Sequence, residues 1–169
     1  YNNGTGSTQT YHASGNTAIG SKTLYSNTTG YYNTANGYQA LYNNTTGSSN
    51  TANGYQALFS IRGNYRTTAI GYQAMYYADS RTTGIASQNT AVGYEALKGS
   101  STPANNTGIN NSALGDRALF SNTSGVENTA LGAGSLYSNT TGDRNTGIGN
   151  NVLGYNTSGS DNTAVGNAS

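Results

Sequence analysis

A single histidine, His12, six acids and seven bases are all that this chain offers to acid–base or metal chemistry. His12 precedes the first full repeat and has no histidine partner. Neither a hydrolase triad nor a histidine metal cluster can be built around it, and it reads as a surface residue. The acids Asp79, Glu95, Asp116, Glu127, Asp143 and Asp161 stand singly. A pair such as Glu95 with Asp116, brought together between repeats, would imitate the two carboxylates of a glycosidase. Solvated surface acids are the plainer reading. With no cysteine there is no disulfide framework and no thiolate metal site. The calcium-binding Gly-Gly-x-Gly-x-Asp nonapeptide is missing. Glycine-rich stretches such as Gly132-Ala133-Gly134 lack the strand–glycine–helix context of a phosphate loop. These residues predict a protein that is not an enzyme and uses neither cofactor nor metal.

Two other chemistries remain. Ten Asn-x-Ser/Thr sequons occur, and five of them, Asn27, Asn44, Asn122, Asn139 and Asn156, each fall at the same place in their repeat. As acceptors they would carry a regular row of sugars; alternatively, the turn simply needs Asn-Thr-Thr-Gly. The second chemistry is ligand contact. Two adjacent repeats each gain five residues, within segments 76–88 and 98–110. Tyr76 and Tyr77 offer flat faces for sugars, while Asp79, Arg81 and Lys98 offer directed hydrogen bonds. The second segment also holds the only proline, Pro103. Insertions on one face of a stacked repeat often form its binding surface, and tolerated loop growth is the competing reading.

What must position these residues is a repeat. The signature Asn-Thr-Ala-x-Gly starts at Asn16, Asn33, Asn50, Thr67, Asn89, Asn111, Asn128, Asn145 and Asn162, at spacings of 17, 17, 17, 22, 22, 17, 17 and 17. Its glycine never varies, from Gly20 to Gly166. A leucine column follows: Leu24, Leu41, Leu58, Met75, Leu97, Leu119, Leu136, Leu153. Next come an aromatic column and Asn-Thr-Thr/Ser-Gly. Gly, Asn, Thr and Ser make up more than half of the chain, while Leu, Ile, Val and Phe make up about an eighth. A fixed short period marks a stacked repeat, and 17 residues are too few for a helical hairpin. The predicted fold is all-β: a parallel β-roll or β-solenoid of about nine 17-residue coils, two of them of 22. The signature would form one strand and the small-Leu-aromatic-Ser segment a second, joined by glycine turns. Residues 1–15 would end a preceding segment or be a degenerate repeat. Residues 16–169 would be the repetitive part, a piece of a longer fibre, since the chain begins at Tyr1 and not at Met.

Each coil would bury the leucine and the fourth signature position, which is aliphatic except for Asn36 and Asn53. One or two aliphatics per coil, at ~1.5–3 kcal/mol each, hardly offset the ordering of a whole coil. Association around an axis, most simply as a homotrimer, would bury a second face. Asn36 and Asn53 would then form a polar layer that fixes register between chains.

The Asn-Thr-Ala-Ile-Gly-Tyr-Gln-Ala-Leu-Tyr-Ser-Asn-Thr-Thr-Gly type of repeat resembles repeats of bacteriophage tail fibres and bacterial surface fibres, over residues 16–169. Its Asn-Thr-Ala-Ile-Gly core is similar to the head repeat of trimeric autotransporter adhesins. The resemblance implies a trimer of left-handed parallel β-rolls on a virion or a bacterial cell surface, hence extracellular, contacting a host glycan or protein receptor. Nucleic acid is not an expected partner, because the seven Lys and Arg are scattered. No apolar run approaches the ~18 residues of a membrane span. The alternative function is ice binding through a ladder of Thr17, Thr34, Thr51, Thr68, Thr90, Ser112, Thr129, Thr146 and Thr163. The two long coils are expected to interrupt that ladder.

Overall fold

The computed structural model describes residues 13–168, so His12 and most of segment 1–15 lie outside it. The described chain is a β-solenoid with one coil per repeat. Nine three-residue strands, β1 (Thr17–Ile19), β2 (Thr34–Asn36), β3 (Thr51–Asn53), β4 (Thr68–Ile70), β5 (Thr90–Val92), β6 (Ser112–Leu114), β7 (Thr129–Leu131), β8 (Thr146–Ile148) and β9 (Thr163–Val165), pair in chain order. Every pairing is parallel and in register, Thr17 with Thr34 and so on to Thr146 with Thr163. The five extra residues of the long coils do not disturb this, since Thr68 pairs with Thr90 and Thr90 with Ser112.

Each strand stops at the signature glycine. Gly20 has φ +122° and Gly54 has φ +140°, which side chains other than hydrogen rarely permit. Space enforces the same choice: a Cβ on Gly20 would lie 2.6 Å from the Gly37 carbonyl oxygen of the next coil.

The predicted second strand is not there. The chain there instead passes through left-handed backbone at the leucine and at the residue two before it, with Gln39 at φ +56° and Leu41 at φ +52°, and the same pair of positions repeats coil after coil. A flat second strand could not bend the chain back within so few residues, and the left-handed residues supply the curvature. Each costs roughly 1–2 kcal/mol. Coil-to-coil hydrogen bonds offset that cost: Leu41 N donates to Ala57 O at 3.0 Å and Gln39 N to Ser21 O at 3.0 Å.

The interior is narrow. Leu24, Leu41, Leu58, Met75, Leu97, Leu119 and Leu136 are buried, as the leucine column predicts. They face two alanine columns, Ala35 to Ala130 from the strands and Ala40 to Ala118 beside the leucines. Where the second column carries the larger Ser135, the facing strand carries Gly147, whose Cβ would lie 2.6 Å from Ser135 Oγ. Side chains alternate along a strand, so with alanine inward both threonine and the fourth position point out. That corrects the expectation that the fourth position is core: Ile19 is 60 % exposed and Val165 70 %. Asn36 and Asn53 are exposed on the chain's surface too, bonded to each other at 3.2 Å. They form no polar layer inside the coil.

Asparagine fills the polar half of the interior in two ladders. In the first, Asn33 Nδ2 donates to Gly47 O at 2.9 Å, and its Oδ1 accepts the N–H of Asn50 at 3.0 Å. Asn111, Asn128 and Asn145 repeat both bonds. The second ladder is the sequon column. Asn44 Nδ2 reaches Asn27 Oδ1 at 3.0 Å, and Asn139 Nδ2 reaches Asn122 Oδ1 at 3.1 Å and Gly142 O at 3.0 Å. It breaks at Ile61, which follows Asn44 in the column, and Asn44 Oδ1 is accordingly left buried without a donor. We expect Asn139→Ala to cost about 2–3 kcal/mol, because it removes three side-chain bonds, to Asn122, Gly142 and Asn156, and strands Asn122 Oδ1. Replacing the half-buried Asn43 should stay within about 0.5 kcal/mol. Thermal melting of the two variants checks the contrast.

Candidate functional site

The two insertions do lie side by side, and Asn106 joins them. Its Nδ2 donates to Tyr77 O at 2.5 Å and Ser100 O at 2.9 Å, while its Oδ1 accepts Ser100 N–H at 2.9 Å. Tyr77 N donates to Lys98 O at 3.1 Å. A short 3₁₀ turn, Pro103–Asn105, forms the outer rim of the second insertion.

Most of the side chains expected to meet a ligand are spent within the fold. Tyr76 stacks on Phe59 at 5.0 Å and meets the edge of Tyr77 at 4.7 Å, so its ring is not an open platform. Burial raises its phenol pKa, with the neighbouring Tyr77 adding to the effect. Asp79 is buried and takes Arg81 Nη2 at 2.6 Å, Arg81 N at 3.0 Å and Asn64 Nδ2 at 3.2 Å. Lys98 stands in the aromatic column, its Nζ 2.5 Å from Glu95 Oε1 and 5.8 Å from the Phe120 ring centre. Of the five, Arg81 keeps the most exposed side chain whose position is given by an ion pair. Tyr76, Asp79 and Lys98 thus each have a structural role in stacking or ion pairing within the chain.

Glu95 does not stand as a free carboxylate beside Asp116. Glu95 is buried, not solvated, and both its oxygens are taken, by Lys98 and by Arg117 Nε at 2.9 Å. Burial pushes the Glu95 carboxyl up, but the hydrogen bonds from Lys98 and Arg117 outweigh it and hold the group below its ordinary value. Asp79 is lowered in the same way, burial being outweighed by Arg81 and Asn64. In the unfolded chain carboxyls titrate near about 4. As acid is added, the unfolded chain takes up these protons first, which favours unfolding. The stability from these groups is complete above about pH 5 and is lost as pH falls through their depressed folded values. The melting temperature should therefore drop steeply below about pH 4, and less steeply in Glu95→Gln, which has no such proton to gain.

The sequon column also has a different use. Asn27, Asn44, Asn122 and Asn139 are buried, with their amides committed to the ladder, and Asn156 joins it at 3.2 Å from Asn139 Oδ1. A glycan on Nδ2 would displace the next coil. In the folded chain the column serves as a structural ladder.

Between the broken ladders, Asn64, Asp79, Ser87 and Asn106 line a cavity of about 20 Å³ with Met75 and Leu97. It is about the size of one water molecule. Among the described residues no group of three His, Cys, Asp or Glu could hold a metal, and no helix is long and apolar enough to cross a membrane.

What sequence reasoning missed is on the outside. Tyr38, Tyr55, Tyr72 and Tyr94 stack in a continuous ladder, with centroids 5.1–5.4 Å apart, and each is 40–43 % exposed. Arg117 lies 5.3 Å over the Tyr94 ring centre. Beside it, Gln73 donates to Gln56 at 2.8 Å and Gln56 to Gln39 at 2.7 Å. The signal was legible, since Tyr-Gln follows the signature glycine in three consecutive repeats. The buried Asn64 and the half-buried Asn106 had no such signal.

The geometry defines a repetitive β-solenoid with like residues stacked into ladders. No protein-family model, curated protein or solved structure matches the chain.

Proposed function

We propose that this chain is a structural and adhesive fibre segment, a rod that holds or contacts a host or surface receptor outside the cell, as in a phage tail fibre or a bacterial surface adhesin. The observation that carries the reading is the unbroken in-register column of nine strands, which spends nearly every interior side chain on stacking. A rod needs stiffness and no reaction centre. The outward fourth position adds an aliphatic stripe, Ile19, Ile70, Leu114, Leu131 and Val165 all being exposed. A homotrimer that packs these stripes together would remove them from water and supply the second buried face that a thin coil lacks. Mass in solution tests the assembly, with three chains expected and one chain against it. Receptor contact is tested by trimming both insertions to 17-residue coils and measuring binding to host cells or glycans. The trimmed rod should still assemble, and lost binding would assign the contact to the loops.

One observation favours a second reading. The threonine ladder passes both long coils in register, so the interruption expected from their length does not occur. An in-register row of threonines beside aliphatic side chains also suits an ice plane. Thermal hysteresis separates the two: activity abolished by Thr68→Tyr would favour ice binding, and none in the parent chain would remove it.

A further inference from the structure

The exposed tyrosine ladder has no part in the fibre reading, and its geometry suits one reaction. Stacking by repeat places phenol beside phenol at 5.1–5.4 Å from Tyr38 to Tyr94, with interplanar angles of 5–18°. Tyr25 and Tyr42 form a further pair at 5.1 Å and 3°. The composition removes the usual competitors for an oxidant. The chain has no cysteine and no tryptophan, and its one methionine, Met75, is buried. A one-electron oxidant reaching the described surface therefore meets tyrosine first.

We propose that the ladder is a site of oxidative cross-linking, in which consecutive coils are joined by dityrosine bonds at Tyr38–Tyr55, Tyr55–Tyr72 or Tyr72–Tyr94, and at Tyr25–Tyr42. The oxidant is hydrogen peroxide acting through a haem peroxidase. Each of two neighbouring phenols loses one electron and one proton. The two phenoxyl radicals couple through the carbons ortho to oxygen, and both rings regain aromaticity by moving the ortho hydrogens to oxygen. Two phenols and one peroxide thus give one biphenol and two waters. A ring is consumed by its first partner in most cases, so alternate pairs along the ladder are joined in any one molecule. In a chain without disulfides, such bonds fasten one coil to the next.

The other aromatic column supplies an internal control. Phe59 stands between Tyr42 and Tyr76, at 5.2 Å from one and 5.0 Å from the other, and a phenyl ring forms no phenoxyl radical. Tyr42 and Tyr76 are two coils apart and must stay unjoined.

The test treats the folded chain with peroxidase and hydrogen peroxide, digests it with a protease of broad specificity, and maps joined peptides by tandem mass spectrometry. The expected products are the four neighbour pairs, each lighter by two hydrogens, with dityrosine fluorescence. Tyr55→Phe should remove both Tyr38–Tyr55 and Tyr55–Tyr72 and spare Tyr25–Tyr42. Phe59→Tyr should create bonds from position 59 to Tyr42 and to Tyr76. Joined pairs that occur equally in the urea-unfolded chain would overturn the proposal. So would bonds only between separate chains, a Tyr42–Tyr76 bond in the parent, or no gain from Phe59→Tyr.

Discussion

Leu58→Asp should split the solenoid in two. Leu58 is fully buried in the third coil, between Leu41 and Met75 of the same column and against the alanine columns. The substitution removes about 2 kcal/mol of apolar burial. It also places a carboxylate within an apolar cluster of leucines and alanines. An unpaired buried charge adds several kcal/mol more, either as desolvation or as the work of protonating the group. The expected total is about 4–5 kcal/mol or more, which places it among the rare large effects. Because each coil touches only its neighbours, the damage should be local at first. Melting should therefore become biphasic, with the coils on either side of β3 losing structure at different temperatures. An unchanged single transition would show that the column is not what holds the coils together.

The second large effect is expected from the smallest change. Gly54→Ala adds one methyl group, yet Gly54 has φ +140°, and its Cβ would fall on the carbonyl oxygen of Gly71 in the next coil. Neither neighbour is a flexible side chain that could move aside. The backbone of two coils would have to part, breaking the Gly71 N–H bond to Asn53 O, which is 2.8 Å long. Strain of this kind costs about 1–3 kcal/mol before any hydrogen bond is lost. A total above about 3 kcal/mol follows, measurable by urea unfolding. Gly159→Ala, near the end of the chain and at ordinary φ, should cost much less, although its Cβ would still crowd Asn156 Oδ1 at 2.5 Å. Equal losses at the two sites would mean that neither the positive φ nor the carbonyl of the next coil sets the cost at Gly54.

These two positions also show what a sequence of this kind discloses. The leucine column and the invariant glycine were legible because a period repeats the same environment nine times, and only residues that stack survive every copy. Three features were not legible. Leu41 carries no mark of its left-handed backbone, since leucine ordinarily avoids it and only the closure of the coil demands it. Ile19 reads as core by its type, but Ala18 takes the inward place, because the leucine opposite leaves room for no more than a methyl group. The residues of the insertions fall outside the period, so nothing in the pattern said that Asp79 would turn in toward Arg81 and Asn64 instead of facing a ligand. Stacking follows from the period; the fate of the departures from it is set by contacts that the period does not specify.

The identity of neighbouring coils bears on how such a chain can change. Segments 33–41 and 50–58 both read Asn-Thr-Ala-Asn-Gly-Tyr-Gln-Ala-Leu, so wherever the codons match as well, copying of the gene can slip from one to the other. A slip of one whole unit inserts or deletes a coil without shifting the frame. Every bond the newcomer needs is already offered by the coil below it, as Asn50 meets Asn33. The length of the rod can thus be retuned in steps of about 4.8 Å, the strand spacing, with no compensating substitution anywhere else.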